Sequence, residues 1–300
     1  MSAPSYTPQL RPLAVGEMLD AGFRLFGARF WTLITCVLVP ILPLTIVATV
    51  LQASVDPNAF DLDATSADVD GGTALAGTLV ASLIQFAAAA LAIAACFKAI
   101  SAAYLGERAG AAESLRYGLG RTLWLCVAYI VVIVIVVVGL VFLIIPGIWL
   151  AVKLSMEFPA VVFERRNAFS AVGRSWSLTR GNFWRTFGTL LVVFLITFVA
   201  QLVFGGVVGG ILGAADAGEL TTAVVLTLVN LITLALTYPL WAAVTTVLYY
   251  DLRVRNEGFD LHLLAQGMGA DASRFKAAPE RPAPPPPERF GPPEGSAPSS

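Results

Sequence analysis

The sequence predicts an all-α polytopic membrane bundle of about six transmembrane helices, with amphipathic helices at its cytoplasmic surface. Hydrophobic residues make up 57% of the 300-residue chain and charged ones only 13%, whereas soluble domains average about 45–50% and about 25%. The mean hydropathy is +0.78. Five uncharged runs each exceed the ~20 residues that a helix needs to cross a bilayer. We therefore do not expect a water-soluble fold.

One of these runs is long enough for two helices. Residues 122–152 are uncharged and continue into a weakly polar stretch that ends at Phe163. Pro146-Gly147 interrupts the run, so we predict a helical hairpin with its turn there. Val and Ile are dense at 131–138, but an open strand in lipid leaves its backbone unsatisfied, which favours a helix. The predicted spans are about 30–53, 77–101, 123–145, 148–163, 186–210 and 221–249.

Amphipathic helices are predicted at about 14–27, 168–179 and 258–267. In the first, apolar residues follow helical spacing on one side, and Asp20 and Arg24 are spaced for an ion pair on the other. Helices of this kind lie in the plane of the membrane surface. The predicted divisions of the chain are a disordered N-terminus at 1–13, a membrane domain at 14–268 and a Pro-rich, disordered cytoplasmic tail at 269–300.

The basic residues predict which way the chain faces. All but Lys153 of the 19 Lys and Arg residues fall before the first span, around the inner end of the second, after the fourth or after the sixth. The loop at 56–70 instead carries five Asp residues. By the positive-inside rule both termini are cytoplasmic and the acidic loops lie outside. The excess of Arg over Lys hints at a bacterial genome, so we expect a multi-pass protein of the bacterial cell (cytoplasmic) membrane.

A weak internal repeat suggests three similar units. Residues 21–31 (AGFRLFGARFW) align with 174–184 (RSWSLTRGNFW), and 114–124 (SLRYGLGRTLW) is a looser copy. Each copy precedes a predicted span, as in units of one interfacial helix plus a helical hairpin. The alternative is that any basic, Trp-ended approach to a membrane looks alike, and the sequence leaves both open. The three units would be 14–105, 112–165 and 168–250.

Two charges, Lys153 and Glu157, lie inside an apolar segment. They are four residues apart on one predicted helix face, ~8 and ~14 Å from the Pro146-Gly147 turn. A charge at mid-membrane costs about 2.5–3.5 kcal/mol, so the pair should face the bundle interior or water. Pro159 adds an unpaired carbonyl nearby. With three amides at comparable predicted depth, the candidate intramembrane polar site comprises Lys153, Glu157, Gln85, Gln201 and Asn230.

These polar residues have two interpretations. In the structural one, Lys153 snorkels to the outer surface, Glu157 neutralises it, and the amides tie helices together through hydrogen bonds. In the functional one, the five groups form a small polar binding site or a passage for a solute.

A basic, tryptophan-rich segment follows the fourth span and is predicted to meet the membrane surface. Arginine pairs bidentately with phosphate, so contact with membrane lipids, and with anionic lipids in particular, is an interpretation. Simple topological anchoring is the alternative. The candidate headgroup contacts are Arg165, Arg166, Arg174, Arg180, Arg185, Trp176 and Trp184.

Glycines at four-residue spacing predict close helix packing at the outer end of the fifth span. Gly205, Gly209 and Gly213 follow the small-xxx-small pattern of helix interfaces. The packing partner is either another helix of this chain or a second copy of it, and a further protein partner is also possible.

Catalytic and metal-binding patterns are absent from the sequence. The chain has one histidine, His262, and lacks HExxH, GxSxG and P-loop motifs. We therefore expect no catalytic residue, no metal, no cofactor and no nucleic-acid partner.

Three parts of the chain resemble one protein family: RPLAVGEMLDAGFRLF at the start, PGIWLAVKLSMEFPAVVFE with RSWSLTRGNFWR in the middle, and LYYDLRVRNEGFDLHLLA at the end. Together, over about residues 10–268, they resemble the membrane domain family associated with glycerophosphoryl diester phosphodiesterases. That family is often found as a stand-alone bacterial integral membrane protein, and in fused members a separate soluble barrel performs the hydrolysis. The barrel's carboxylate and histidine motifs do not occur here, so the resemblance implies a membrane protein without that activity.

Two functions follow as hypotheses. The first is a non-catalytic membrane module that organises lipid or a partner protein at the cytoplasmic membrane. The alternative is a transporter or channel for a small polar solute that uses Lys153 and Glu157.

Overall fold

The computed structural model describes residues 13–55, 71–106, 109–215 and 218–258. Every regular element in these residues is helical, which confirms the predicted all-α class. The predictions for the two ends of the chain, for the acidic loop and for the helix at 258–267 lie outside the described residues, apart from Leu13, which is buried, and Gly258. Gly258 has a left-handed backbone, with φ of 60°, and ends the last helix, because glycine has no Cβ to clash there.

Eleven α-helices and one π-helical segment make up the described residues. In chain order they are α1 (Val15–Ala28), α2 (Phe30–Val55), α3 (Gly71–Tyr104), α4 (Ala111–Leu119), α5 (Thr122–Phe142), α6 (Ile144–Leu154), α7 (Glu157–Phe163), α8 (Ala168–Leu178), α9 (Phe183–Gln201), the π-helical Leu202–Val207, α10 (Val208–Ala214) and α11 (Glu219–Glu257).

Six segments of the described residues are long and apolar enough to cross a membrane. The chain is therefore a multi-pass membrane protein, as predicted. The segments are Phe30–Gln52, Leu75–Tyr104, Thr122–Val141, Ile144–Phe163, Phe183–Ala214 and Val224–Glu257.

The same order of elements occurs three times along the chain. A short helix precedes two spans in each third: α1 before α2 and α3, α4 before α5 and the α6–α7 pair, and α8 before α9 and α11. The rings of Phe30 and Trp31 pack edge-to-face at 5.4 Å, as do those of Phe183 and Trp184. Trp31 and Trp184 are each 79% exposed. Over the described residues, this order agrees with the three-unit interpretation.

The short helices α1, α4 and α8 all lie at one end of the bundle, which we call the charged end. The hydrophobic core is concentrated towards this end, where residues 242–252 of α11 are all buried. Gly22 of α1 lets the two helices approach, because a Cβ there would lie 2.6 Å from Val244 Cγ2. The predicted ion pair of Asp20 with Arg24 is present at 2.7 Å. Both side chains are largely exposed, so the pair contributes little stability.

The turn of the α5–α6 hairpin lies at Leu143, not at Pro146-Gly147 as predicted. Leu143 is extended, and Pro146 falls in the first turn of α6, where the N–H that proline lacks would have no helical partner anyway. Gly147 instead allows the two helices to cross closely, since a Cβ there would lie 2.8 Å from the backbone nitrogen of Leu140.

The glycine pattern of the fifth span begins in the π-helical segment and continues in α10. Gly209 faces α11, because a Cβ added there would lie 3.7 Å from Leu226 Cδ2. A Cβ on Gly206, Gly210 or Gly213 would meet nothing within 4 Å among the described residues. A distance of 3.7 Å is an ordinary contact, so the predicted close packing of these glycines is not seen among the described residues. A homo-oligomer through this stripe stays a prediction.

Candidate functional site

A break separates α6 from α7 within the fourth span. α6 ends at Leu154 and α7 begins at Glu157, with a two-residue turn between them. Pro159 accounts for the break, because proline lacks the N–H of a continuous helix and its ring clashes with the preceding turn. The break leaves the carbonyl of Lys153 and the N–H of Met156 without their usual helical partners.

Ser175 of α8 supplies those partners. Its hydroxyl donates to the Lys153 carbonyl at 2.7 Å and accepts from the Met156 N–H at 3.1 Å. Ser175 is fully buried, so no water replaces these bonds, and buried backbone groups need such partners. One hydroxyl therefore joins the interfacial helix to the broken span.

The ammonium group of Lys153 lies at the C-terminal end of α8. Its Nζ donates to the Thr179 carbonyl at 3.2 Å, where the partial negative charge of the helix end favours a cation. It also lies 5.8 and 5.7 Å from the ring centroids of Trp149 and Trp176, within reach of cation–π attraction. Lys153 is 8% exposed. It is therefore bound to α8 and does not snorkel to the outer surface.

Glu157 does not interact with Lys153, although the two were predicted to share one helix face. The break between α6 and α7 separates them, and no ion pair joins these two described residues. Glu157 is fully buried, and neither carboxylate oxygen has a hydrogen-bond partner among the described residues. A buried carboxyl without a partner is costly, so it is a notable group for function.

The five residues of the predicted polar site are not all brought together. Gln85 and Asn230 line one cavity between α2, α3 and α11, whereas Lys153 and Glu157 do not line it. Gln201 is exposed on the last turn of α9 and does not line it either. The helix break draws Lys153 towards α8 and the charged end, which straight-helix spacing does not anticipate.

Two neighbouring cavities lie among the spanning helices. The amide cavity has a volume of about 510 Å³ and is lined by the amides of Gln52, Gln85 and Asn230. The aromatic cavity, of about 430 Å³, lies between α3, α5, α7, α9 and α11. Ala89 and Tyr238 line both cavities. Each volume falls within the ~300–1,000 Å³ typical of small-molecule sites.

Arg174 of α8 is the centre of an ion network at the charged end. Its guanidinium donates to Glu164, which follows α7, at 2.6 and 2.8 Å. It also donates to Glu257 of α11, at 2.9 Å in one bond and more closely in the other. The Tyr249 hydroxyl donates to the same Glu164 carboxylate. Charge-assisted, bidentate bonds of this kind fix geometry, so they hold α8 against two spans.

Burial and hydrogen bonding act in opposite directions on Glu164. Burial alone would raise the pKa of its carboxyl, but hydrogen bonds from Arg174, Tyr249 and Arg166 lower the pKa to about 2. On the other side of the network, burial would lower the pKa of Arg174, but its bonds to Glu257 and Glu164 raise it above its ordinary value. Both groups are therefore charged at neutral pH.

Asp251 forms a second network that joins both ends of the described chain. Its carboxylate accepts from the N–H of Leu13 at 2.8 Å and from the guanidinium groups of Arg185 and Arg255, both at 2.9 Å. The Asp251 side chain is fully buried, and its three donors satisfy it. Arg185 thereby joins α9 to α11.

Side chains from other helices cap the carbonyl ends of α7 and α8. Asn256 of α11 donates to the Leu178 carbonyl at 2.6 Å. Arg121, just before α5, donates to the Val161 carbonyl at 2.8 Å, and Tyr117 of α4 donates to the next carbonyl, that of Val162. The last turns of a helix carry unpaired carbonyls, so these contacts stabilise both ends.

The seven predicted headgroup contacts divide into two groups. Arg174 and Arg185 belong to the two ion networks, and Arg166 pairs with Glu164 at 2.7 Å. The remaining four have exposed side chains, and Trp184 is 79% exposed. They are Arg165, Arg180, Trp176 and Trp184.

Sequence reasoning missed Glu164, Asp251, Glu257 and Ser175. The available signal was charge complementarity, because acidic residues end the fourth and sixth spans where basic residues would be expected on the cytoplasmic side. Buried acids at such positions need basic partners, and the basic segment after the fourth span supplies them. Nothing in the sequence singled out Ser175 from the other serines of α8. No cluster of three or more metal-ligating side chains occurs within the described ranges.

A family comparison identifies the part of the chain that holds these networks. Residues 121–281, more than half of the chain, match the family described as the membrane domain of glycerophosphoryl diester phosphodiesterase. The chain belongs to this family. The matched part includes α5 to α11, and therefore the broken span, Ser175 and most of the charged residues of the two ion networks of this membrane domain. No curated protein and no solved structure matches the chain.

Replacing Ser175 with alanine should loosen α8 from the fourth span. The change leaves the buried N–H of Met156 unpaired, at a cost of about 1–3 kcal/mol. It leaves the Lys153 carbonyl with only the longer bond, at 3.4 Å, from the Thr179 hydroxyl. We expect a lower unfolding temperature in detergent and faster proteolysis at α8. Ser177→Ala, which removes an exposed hydroxyl of the same helix, is the matched control and should change stability by less than ~0.5 kcal/mol. Equal effects of the two changes would contradict the bridging role.

Acidification should weaken the Arg174 network through Glu164. Because the pKa of Glu164 is lowered from 4.5 to about 2 in the folded protein, its stabilising effect is complete above about pH 4.5 and is lost as the pH falls towards about 2. Glu164→Gln removes this titration. We expect the unfolding temperature of the wild type to fall more steeply than that of the variant between about pH 5 and about pH 3. Parallel curves would show that Glu164 is not held charged.

Proposed function

We propose that this protein is a non-catalytic membrane module that organises anionic lipid at its charged end, on the cytoplasmic side of a bacterial cell membrane. The observation that supports it is the exposed state of Arg180. This residue makes no side-chain hydrogen bond or ion pair within the described residues, although Arg174 and Arg185 on either side of it are paired. A guanidinium at headgroup depth that is free of protein partners is suited to a lipid phosphate.

The surroundings of Arg180 support the same function. Trp176 and Trp184 are exposed beside it in the chain, and tryptophan favours the membrane interface. Arg165 is also exposed and lies 5.5 Å from the ring centroid of Tyr117. Ser175 and Arg174 hold α8, so the backbone on either side of it that carries Arg165 and Arg180 is held in place, and this reduces the entropy that binding costs.

Exposed apolar side chains on the short helices agree with a position in the headgroup layer. Phe23 of α1, Leu119 of α4 and Phe169 of α8 are 44%, 67% and 72% exposed. Helices that combine such residues with charges lie at the membrane surface. The charged end then faces the cytoplasm by the positive-inside rule.

Replacing both exposed arginines, Arg165→Gln with Arg180→Gln, should weaken anionic-lipid binding. An arginine near an anionic surface contributes about 1 kcal/mol, so we expect about a fivefold loss per arginine. Native mass spectrometry of the protein titrated with phosphatidylglycerol measures this. Arg24→Gln with Arg116→Gln removes the same charge from α1 and α4 and is the control. An equal loss in the control would mean that the basic residues act only through net charge, which would refute the site.

Transport is the second candidate function, favoured by the unpartnered carboxyl of Glu157. Ionisable residues inside spanning helices mark solute and proton pathways in transporters. The neighbouring residue, Phe158, lines the aromatic cavity. A carboxyl at this place is therefore a candidate for coupling proton movement to passage of a solute.

Glu157→Gln tests transport, because it keeps the shape of the side chain and removes its ability to bind and release a proton. In liposomes with a trapped pH-sensitive dye, the wild type should speed acidification after an imposed pH step, and the variant should behave as protein-free liposomes do. Glu113→Gln on α4 removes an exposed carboxyl and should act as the wild type. If Glu157→Gln acidifies at the wild-type rate, this pathway is excluded.

A further inference from the structure

The amide cavity carries polar groups that the fold itself does not use. The side-chain amides of Gln52, Gln85 and Asn230 line it from three spanning helices, α2, α3 and α11. Gln52 is half-buried, Gln85 and Asn230 are exposed, and within the described part of the chain none of the three side chains makes a hydrogen bond. Glutamine and asparagine in a membrane usually bond across helices, so three unpaired amides that converge on one cavity point to a ligand.

The adjoining aromatic cavity is mostly apolar by contrast. Phe86, Tyr129, Phe158 and Trp241 line it, and the rings of Phe86 and Tyr129 lie 5.1 Å apart. Its two threonines are already satisfied within their own helices. Thr197 donates to the Val193 carbonyl at 3.0 Å, and Thr237 donates to the Thr233 carbonyl at 2.8 Å. The walls therefore suit an aliphatic chain.

Across the membrane, the polar and apolar cavities follow each other in the same order as the head and the acyl chain of a lipid. Gln52 is the last residue of the first span, at the end of the bundle away from the charged end. Trp241 and Phe158 lie nearer the charged end, in α11 and α7. Polar lining thus begins at the far interface and gives way to apolar lining deeper in the bundle, as head and chain do in a bilayer leaflet.

The uncharged lining of the two cavities indicates which lipid headgroups they can bind. Of the described residues that line the two cavities, none is charged. A phosphate or carboxylate head would lie there without an arginine or lysine, which is unfavourable in a low-dielectric site. Amides both donate and accept, so they match hydroxyl groups.

We infer that the two cavities form one binding site for a single lipid with an uncharged, hydroxyl-bearing head, such as a monoacylglycerol. The head meets Gln52, Gln85 and Asn230, and the acyl chain passes Tyr238 and Ala89 into the aromatic cavity. This site lies away from the arginines of the charged end and does not depend on them.

Quenching of Trp241 by a brominated chain tests the site. The probe is a monoacylglycerol with a dibrominated 18-carbon chain, added to the purified full-length protein in phosphatidylcholine nanodiscs. We expect saturable quenching of tryptophan fluorescence, most of which is lost in Trp241→Phe. Lysophosphatidylglycerol with the same chain has a charged head. Its half-saturating concentration should be at least tenfold higher than that of the monoacylglycerol.

Removing the amides decides whether the head is recognised. Gln85→Met with Asn230→Leu should raise the half-saturating concentration of the monoacylglycerol at least tenfold. Gln201→Met removes an exposed amide that lines neither cavity and should leave binding unchanged. Wild-type binding by the double variant, or equal binding of the charged lysolipid, would overturn the proposal. Because the amides are unpaired, the double variant should unfold no lower than the wild type, and a lower unfolding temperature would also overturn it.

Discussion

Pro159 accounts for a break in the fourth span at residues 155–156, and one buried hydroxyl on the next helix restores the lost hydrogen bonds. Much of the charged end depends on that contact. Because Ser175 fixes α8 against the break, the end of α8 comes to lie over Lys153, and Arg174 comes to lie between Glu164 and Glu257. An interfacial helix that resembles a loose membrane anchor is in fact a structural part of the bundle.

Polar groups are distributed unequally between the two halves of the bundle. At the charged end, the buried carboxylate of Asp251 accepts hydrogen bonds from three donors, and bonds of this kind make the packing rigid. In the far half, Gln85 and Asn230 have no partner among the described residues. The charged groups at one end therefore stabilise the fold, whereas the amides in the other half remain available to bind a ligand.

The sequence predicted more of the fold than of the candidate site. The length of the uncharged runs predicted the six spans. The cost of an unpaired strand backbone in lipid predicted the all-α class. Both predictions depend only on composition and on backbone hydrogen bonding. The Lys153 and Glu157 face was predicted from regular helix geometry, and Pro159 removed that regularity. The partners of Arg174 lie 10 and 83 residues away. Such pairings depend on packing, which no local pattern in the chain reports.

The bond between Leu13 and Asp251 has a consequence for biosynthesis, because 238 residues separate its two ends. At roughly 5–20 residues per second, the ribosome needs tens of seconds to make the intervening chain. During that time the N-terminal helix has no α11 to dock on, and Gly22 has no Val244 to pack against. Insertion of the sixth span then completes the packing of the first helix, and a nascent chain stalled before it would keep that helix without its partner α11.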